Sequence, residues 1–121
     1  MRILPSATKN GFRDTVFGYA NLPAYASVYY DRAVLLARSE NVEFELPIIL
    51  GFAMAHELGH LLLGSNSHSD TGIMRAQWDR KAVQSALMGR QLFTLEQAGA
   101  MRENLRARRA ATAIGGVASY R

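Results

Sequence analysis

The stretch that most constrains this fold is an apolar run that begins at Pro47 and ends before Gly64. Its polar side chains are His56, Glu57 and His60, and every other side chain in it is apolar. Proline fits the first turn of a helix, and glycine is typical of the position that ends one. Because a helix that is apolar nearly all round must be surrounded by protein, we predict a central buried helix over 47–63.

The three polar residues of this helix form an H-E-x-x-H motif. His56 and His60 are four residues apart, so a helix places both rings on one face. Glu57 lies about 100° further round, beside the point where the rings converge. In this arrangement the histidines bind zinc and the glutamate handles the protons of a metal-bound water. The motif predicts a Zn²⁺ site, which would satisfy polar groups that are costly to bury alone.

A catalytic zinc ion usually takes three protein ligands and keeps one position for water. The third histidine of the chain, His68, follows Gly64 by four residues and is the natural third ligand. Asp70 is the nearest alternative oxygen donor. Glu96 and Glu103, on a predicted later helix, are more distant ones, and spacing alone leaves this choice open.

These residues resemble the metzincin metallopeptidases, and the resemblance rests on two helix histidines with their glutamate, a glycine, a third histidine and a methionine: His56, Glu57, His60, Gly64, His68 and Met74. It implies a small zincin-like domain that acts as a zinc-dependent endopeptidase on peptide or protein substrates. By the same resemblance the three histidines would be zinc ligands and Glu57 the general base. Met74 would be the methionine of the turn that forms an apolar floor beneath the metal.

A second resemblance concerns the segment from Ala55 to Leu63, which is similar to the ImmA/IrrE peptidases, intracellular enzymes that cleave repressor proteins. It implies a downstream glutamate, here Glu96, as the third zinc ligand. Two readings without peptidase activity also remain. One is a structural zinc domain closed by a fourth ligand such as Asp70, in which Glu57 would have no purpose. The other is a metal-free helical binding module.

The rest of the chain predicts an α+β fold. Tyr25–Tyr30 is the best strand, either a sheet edge on which an extended substrate could pair or a purely structural strand. Thr15–Ala20 is a weaker strand. Helices are predicted from Asp31 to about Asn41 and from Trp78 to Met88, with a last one to about Ala111 before a frayed tail. Thr94 and Gln97 form the capping box of that last helix. We therefore expect a short β-sheet with an edge strand packed on a central helix, followed by C-terminal helices.

Composition sets the remaining expectations. The 121 residues are 49% hydrophobic and predict one domain, 1–121. With no cysteine there are no disulfides or thiolate ligands. Much of the net charge of +4 lies near the C-terminus, in Arg102, Arg106, Arg108 and Arg109. These arginines are predicted to form a solvated helix face, and no aromatic residues interleave with them, so no nucleic-acid partner is predicted. No apolar run reaches membrane-spanning length without a charged or polar break, so no membrane partner is predicted. The N-terminus does not resemble a signal peptide. A secreted parent whose leader was removed and a cytoplasmic protein both remain open, as does the oligomeric state.

Overall fold

The computed structural model describes residues 1–5, 18–21 and 25–119. Side chains are described for all of these residues except 18–21 and 112–119. Three strands and four helices follow one another in the described chain: β1 (Arg2–Leu4), β2 (Gly18–Asn21), β3 (Tyr25–Tyr29), α1 (Tyr30–Ser39), α2 (Leu46–Leu63), α3 (Arg80–Leu87) and α4 (Leu95–Ser119). The predicted α+β class is confirmed. Of the weaker predicted strand, residues 15–17 lie outside the described chain, and 18–20 belong to β2.

The three strands form one sheet in the order β1-β3-β2. β1 runs parallel to β3, with Arg2 opposite Ser27, and β2 runs antiparallel to it, with Gly18 opposite Val28. The predicted edge position of Tyr25–Tyr30 is therefore wrong, because β3 is paired on both sides. Its aromatic and β-branched residues identified a strand, but composition cannot say how many neighbours a strand has. In the described chain the outer strands are β1 and β2.

Helix α2 is the central element, as predicted, because β2, β3, α1, α3 and α4 all pack against it. It ends at Gly64, which has φ 67° and donates its backbone N–H to the carbonyl of His60. The predicted burial of this helix is incomplete, since Ile48 and Leu58 are each 38% exposed. The buried positions instead include all three residues of the polar motif. The helix therefore turns its polar side chains inward.

A small apolar core fixes the first half of α2. Ala33 and Ala37 of α1 are buried against Ile49 of α2 and Val83 of α3. The two alanines let the helices approach closely, and burial of a side chain such as Ile49 stabilises the fold by about 1.5–3 kcal/mol. The helix that carries the H-E-x-x-H motif is thus held from its first two turns onward.

Both C-terminal helices begin at a side-chain cap. Asp79 accepts the backbone N–H of Ala82 at 2.9 Å, so α3 begins at Arg80, two residues after the predicted start at Trp78. The capping box of α4 is confirmed: Thr94 accepts the N–H of Gln97 at 3.1 Å, and the Gln97 side chain accepts the N–H of Thr94 at 2.9 Å.

The end predicted for α4 is wrong, because the helix continues past Ala111 to Ser119. Two consecutive glycines, Gly115 and Gly116, lie within that extension. Each glycine costs a helix about 1 kcal/mol relative to alanine but keeps the backbone N–H that a helix requires, so glycine alone does not dictate a helix end.

The 21-residue segment Glu43–Leu63 is long and apolar enough to cross a membrane by length and composition, with a mean hydropathy of 1.5 in an 18-residue window. The expectation concerned an apolar run without a polar break, and this segment is interrupted by polar side chains. Ionisable side chains inside a bilayer are costly, and this segment carries His56, Glu57 and His60. The sheet and the other three helices also pack against α2 in the described chain. The absence of a membrane partner stays a prediction.

Candidate metal centre

The three histidines of the chain meet at one place. One ligand atom from each of His56, His60 and His68 lies within 4.8 Å of the others. The ring centroids are separated by 4.8, 5.2 and 4.9 Å. Within the described chain, the alternative donors Asp70, Glu96 and Glu103 do not join this cluster. The three rings could together hold a metal ion.

Backbone carbonyls orient the two rings on α2. Nδ1 of His56 donates to the carbonyl of Ile73 at 2.6 Å, and Nδ1 of His60 donates to the carbonyl of Ser65 at 2.8 Å. Because a carbonyl oxygen can only accept, Nδ1 must carry the proton in both rings. A neutral ring protonated at Nδ1 has a lone pair at Nε2, the atom that is left to bind a metal.

The two Nε2 atoms of His56 and His60 face each other at 3.2 Å. Two lone pairs at this distance repel unless a proton or a cation lies between them. Tetrahedral zinc with bonds of about 2.0–2.1 Å to nitrogen places two ligand nitrogens about 3.3 Å apart. The observed spacing is therefore close to the edge of a zinc coordination tetrahedron.

Burial keeps these rings neutral. It lowers the pKa of His56 from 6.5 to about 4. The hydrogen bond to Ile73 acts in the opposite direction and raises this pKa, whereas the neighbouring histidines lower it further. Burial also lowers the pKa of His60 and that of His68. A proton shared between two imidazoles is therefore disfavoured near neutral pH. Neutral rings are the form in which histidine binds metal.

Glu57 follows the first of these histidines and is only 5% exposed. Burial raises its pKa from 4.5 to about 7. Within the described residues its carboxyl group takes part in no hydrogen bond or ion pair. A carboxyl group without a structural partner and with a pKa near neutrality is suited to taking up and releasing protons.

Met74 lies against α2 at Gly59, a residue of the H-E-x-x-H motif. It is fully buried, and a Cβ atom built on Gly59 would come within 2.5 Å of its sulfur and 2.9 Å of the Phe93 ring. Gly59 is therefore required for this close approach. The sequence-based reasoning did not single out Gly59, although a residue without a side chain inside the motif was the available signal.

The segment 91–93 braces the turn that contains Met74. The backbone N–H of Ile73 donates to the carbonyl of Leu92 at 3.0 Å, and the side chain of Gln91 donates to the carbonyl of Gly72 at 2.6 Å. Ile73 thus links the His56 ring to this segment. Sequence reasoning missed Gln91 and Leu92, because the contacts join positions about twenty residues apart and leave no local pattern.

Helix α4 satisfies the carbonyls at the end of α2. Asn104 donates to the carbonyls of Leu62 and Leu63 at 3.0 and 3.2 Å, and Arg108 donates to that of Leu61 at 2.6 Å. The last carbonyls of a helix lack partners within it, so these bonds complete its end. The predicted solvated arginine face is thus wrong for Arg108, whereas the other members of that group are exposed: Arg102, Arg106 and Arg109.

Comparisons with protein families, with curated proteins and with solved structures give no match for this chain. The resemblance to the metzincins therefore depends on the motif residues alone.

Proposed function

We propose that this protein is a zinc-dependent peptidase whose metal ligands are His56, His60 and His68. The observation that supports the proposal most is the 3.2 Å separation of the Nε2 atoms of His56 and His60. Both rings use Nδ1 to donate to a carbonyl, so both Nε2 lone pairs point at the same space. A cation in that space converts a repulsion into two bonds.

The donor set favours zinc with an open coordination position. Three neutral imidazoles suit Zn²⁺, and within the described chain no carboxylate belongs to the cluster. Three protein ligands are typical of catalytic zinc sites, whereas structural sites are closed by four. When bound, the ion would supply a Lewis acid that polarises a carbonyl group and activates water near neutral pH.

Glu57 is the proposed general base and acid. Its buried carboxyl group, with a pKa raised to about 7, can accept a proton from the attacking water. The same group then passes that proton to the departing amine. Because no ion pair holds the carboxylate within the described residues, the charge state of Glu57 can change during turnover.

Peptide bonds are proposed as the substrate because of the likeness to the metzincins. That family has two residues between the second histidine and the glycine, and two more before the third histidine. Here three residues separate His60 from Gly64, and three separate Gly64 from His68. The longer loop still brings His68 beside the other rings, and Met74 packs against the same helix. A substrate strand that pairs with the sheet would add to β1 or β2.

The alternative functions have weaker support. Glu96, the third ligand that an ImmA/IrrE-type site would use, lies outside the cluster, as does Asp70, the ligand that would close a structural zinc site. A metal-free binding module would leave the lone pairs of His56 and His60 opposed at 3.2 Å.

The test compares Glu57→Gln with His60→Ala in zinc-loaded protein. Glu57→Gln should bind zinc as the wild type does and lose proteolysis of an unfolded protein such as casein by at least ~100-fold, since general acid–base catalysis contributes about 10²–10⁴-fold. His60→Ala should lose both zinc binding and proteolysis. All three proteins are purified identically, so that Glu57→Gln also controls for contaminating peptidases.

Two results would overturn the proposal. One is a wild-type protein that takes up no zinc at neutral pH, as measured by metal analysis after dialysis. The other is a Glu57→Gln variant with undiminished proteolysis.

A further inference from the structure

The third histidine is held differently from the first two. The rings of His56 and His60 each donate to a backbone carbonyl, whereas the ring of His68 forms no hydrogen bond within the described chain. His68 is also the exposed member of the three. Apart from its contacts with the rings of His56 and His60, the position of this ring depends on the backbone on either side of it.

The backbone after His68 is fixed at Ser69. The N–H of Ser69 donates to the carbonyl of Met74 at 3.0 Å, and its hydroxyl donates to the carbonyl of Thr71 at 2.8 Å. Both of these bonds lie within the same loop. A third bond comes from outside it, because Nε2 of Gln97 donates to the Ser69 hydroxyl oxygen at 3.0 Å across 28 residues of sequence.

Gln97 is itself firmly placed. Its Oε1 accepts the backbone N–H of Thr94 at 2.9 Å, and its own N–H donates to the Thr94 hydroxyl at 3.1 Å. These two bonds form the capping box at the start of α4. One side of the Gln97 amide therefore caps the helix, and the other side reaches the residue next to His68.

We propose that Gln97 is a positioning residue that holds His68 in place for metal binding through its bond to Ser69. This inference depends on the proposed metal site. It adds a component from α4, an element that supplies none of the three ligands. Groups that orient a metal ligand usually cost 10–100-fold in metal affinity when they are changed.

The variant Gln97→Glu separates the two tasks of this side chain. A glutamate keeps the acceptor that the capping box needs and removes the donor to Ser69. If the Ser69 hydroxyl turned to donate to the new carboxylate, it would lose its bond to Thr71. The added negative charge would by itself attract a cation, so a lower affinity would report altered geometry.

We expect Gln97→Glu to lower the affinity for Zn²⁺ by about tenfold or more, measured by competition with a chelating dye. Gln84→Glu, on an exposed position of α3, makes the same chemical change where the side chain forms no hydrogen bond within the described residues. This control should bind zinc as the wild type does. In a His68→Ala background, Gln97→Glu should have no further effect, because the ligand it positions is gone.

A second readout needs no metal. In metal-free protein, Gln97→Glu should speed hydrogen exchange of the Ser69 amide about tenfold, while the amides within α4 stay protected. Unchanged zinc affinity, or an equal loss in the His68→Ala background, would overturn the role of Gln97. If the wild type binds no zinc, the proposed function fails, and unchanged exchange at Ser69 would then overturn the anchoring separately.

Discussion

His56 and Glu57 are adjacent on α2, and burial moves their pKa values in opposite directions, to about 4 for His56 and about 7 for Glu57. A carboxyl group normally has a lower pKa than an imidazole, and here it has the higher pKa of the two. Near neutral pH the histidine is uncharged, and the glutamate is poised between its two forms. The site can therefore exist with little charge before a dication enters it.

The first prediction concerns the pH dependence of folding in metal-free protein. Glu57 has a higher pKa when folded, about 7, than when unfolded, about 4.5, so the folded state holds the proton more tightly. This contribution to stability is present below pH 4.5 and is lost as pH rises through 7. Relative to Glu57→Gln, the wild type should lose up to about 3 kcal/mol of unfolding free energy over that range.

The contribution of His56 to stability changes with pH in the opposite direction. His56 has a lower pKa when folded, about 4, than when unfolded, about 6.5, so its contribution is present above pH 6.5 and falls as pH drops towards 4. Urea unfolding from pH 4 to 8 in the presence of a chelator measures both effects. A constant difference between the wild type and Glu57→Gln would contradict the raised pKa of Glu57.

The second prediction identifies the third ligand. His68→Ala should lower zinc affinity by several orders of magnitude, because one of three metal bonds is removed. Asp70→Ala and Glu96→Ala should leave the affinity within about twofold of the wild type, since neither side chain belongs to the cluster. Metal analysis and chelator competition on the three variants show which of these residues is the third ligand. A large loss in Glu96→Ala would favour the ImmA/IrrE-type site instead.

The helix and its motif were predictable because their signals are local. The spacing of His56 and His60, the proline before them and Gly64 after them all act within a few turns of one helix. The position of β3 inside the sheet was not predictable, since its neighbours come from elsewhere in the chain. The hydrogen bonds of Gln91 and Arg108 were not predictable for the same reason, because each side chain donates to a carbonyl that is distant in sequence.

The third prediction tests the approach of Met74 to α2. Gly59→Ala should destabilise the protein by about 1–3 kcal/mol, because the new methyl group would overlap the Met74 sulfur and the Phe93 ring. Gly51→Ala is a matched control on the same helix, where a Cβ atom would meet nothing within 4 Å. That change should stabilise the helix by about 0.5–1 kcal/mol. Equal effects in thermal unfolding would contradict the close packing at Gly59.

The fourth prediction concerns the end of α2 and uses two neighbouring arginines on α4. Arg108 donates to the carbonyl of Leu61 at 2.6 Å, whereas Arg109 is exposed. Arg108→Met should lower the unfolding free energy by about 1–2 kcal/mol, since a charge-assisted hydrogen bond to a helix carbonyl is lost. Arg109→Met removes the same charge from the next position and should change it by no more than about 0.5 kcal/mol. Urea unfolding compares the pair, and equal losses would mean that overall charge, and not the bond to Leu61, accounts for the effect.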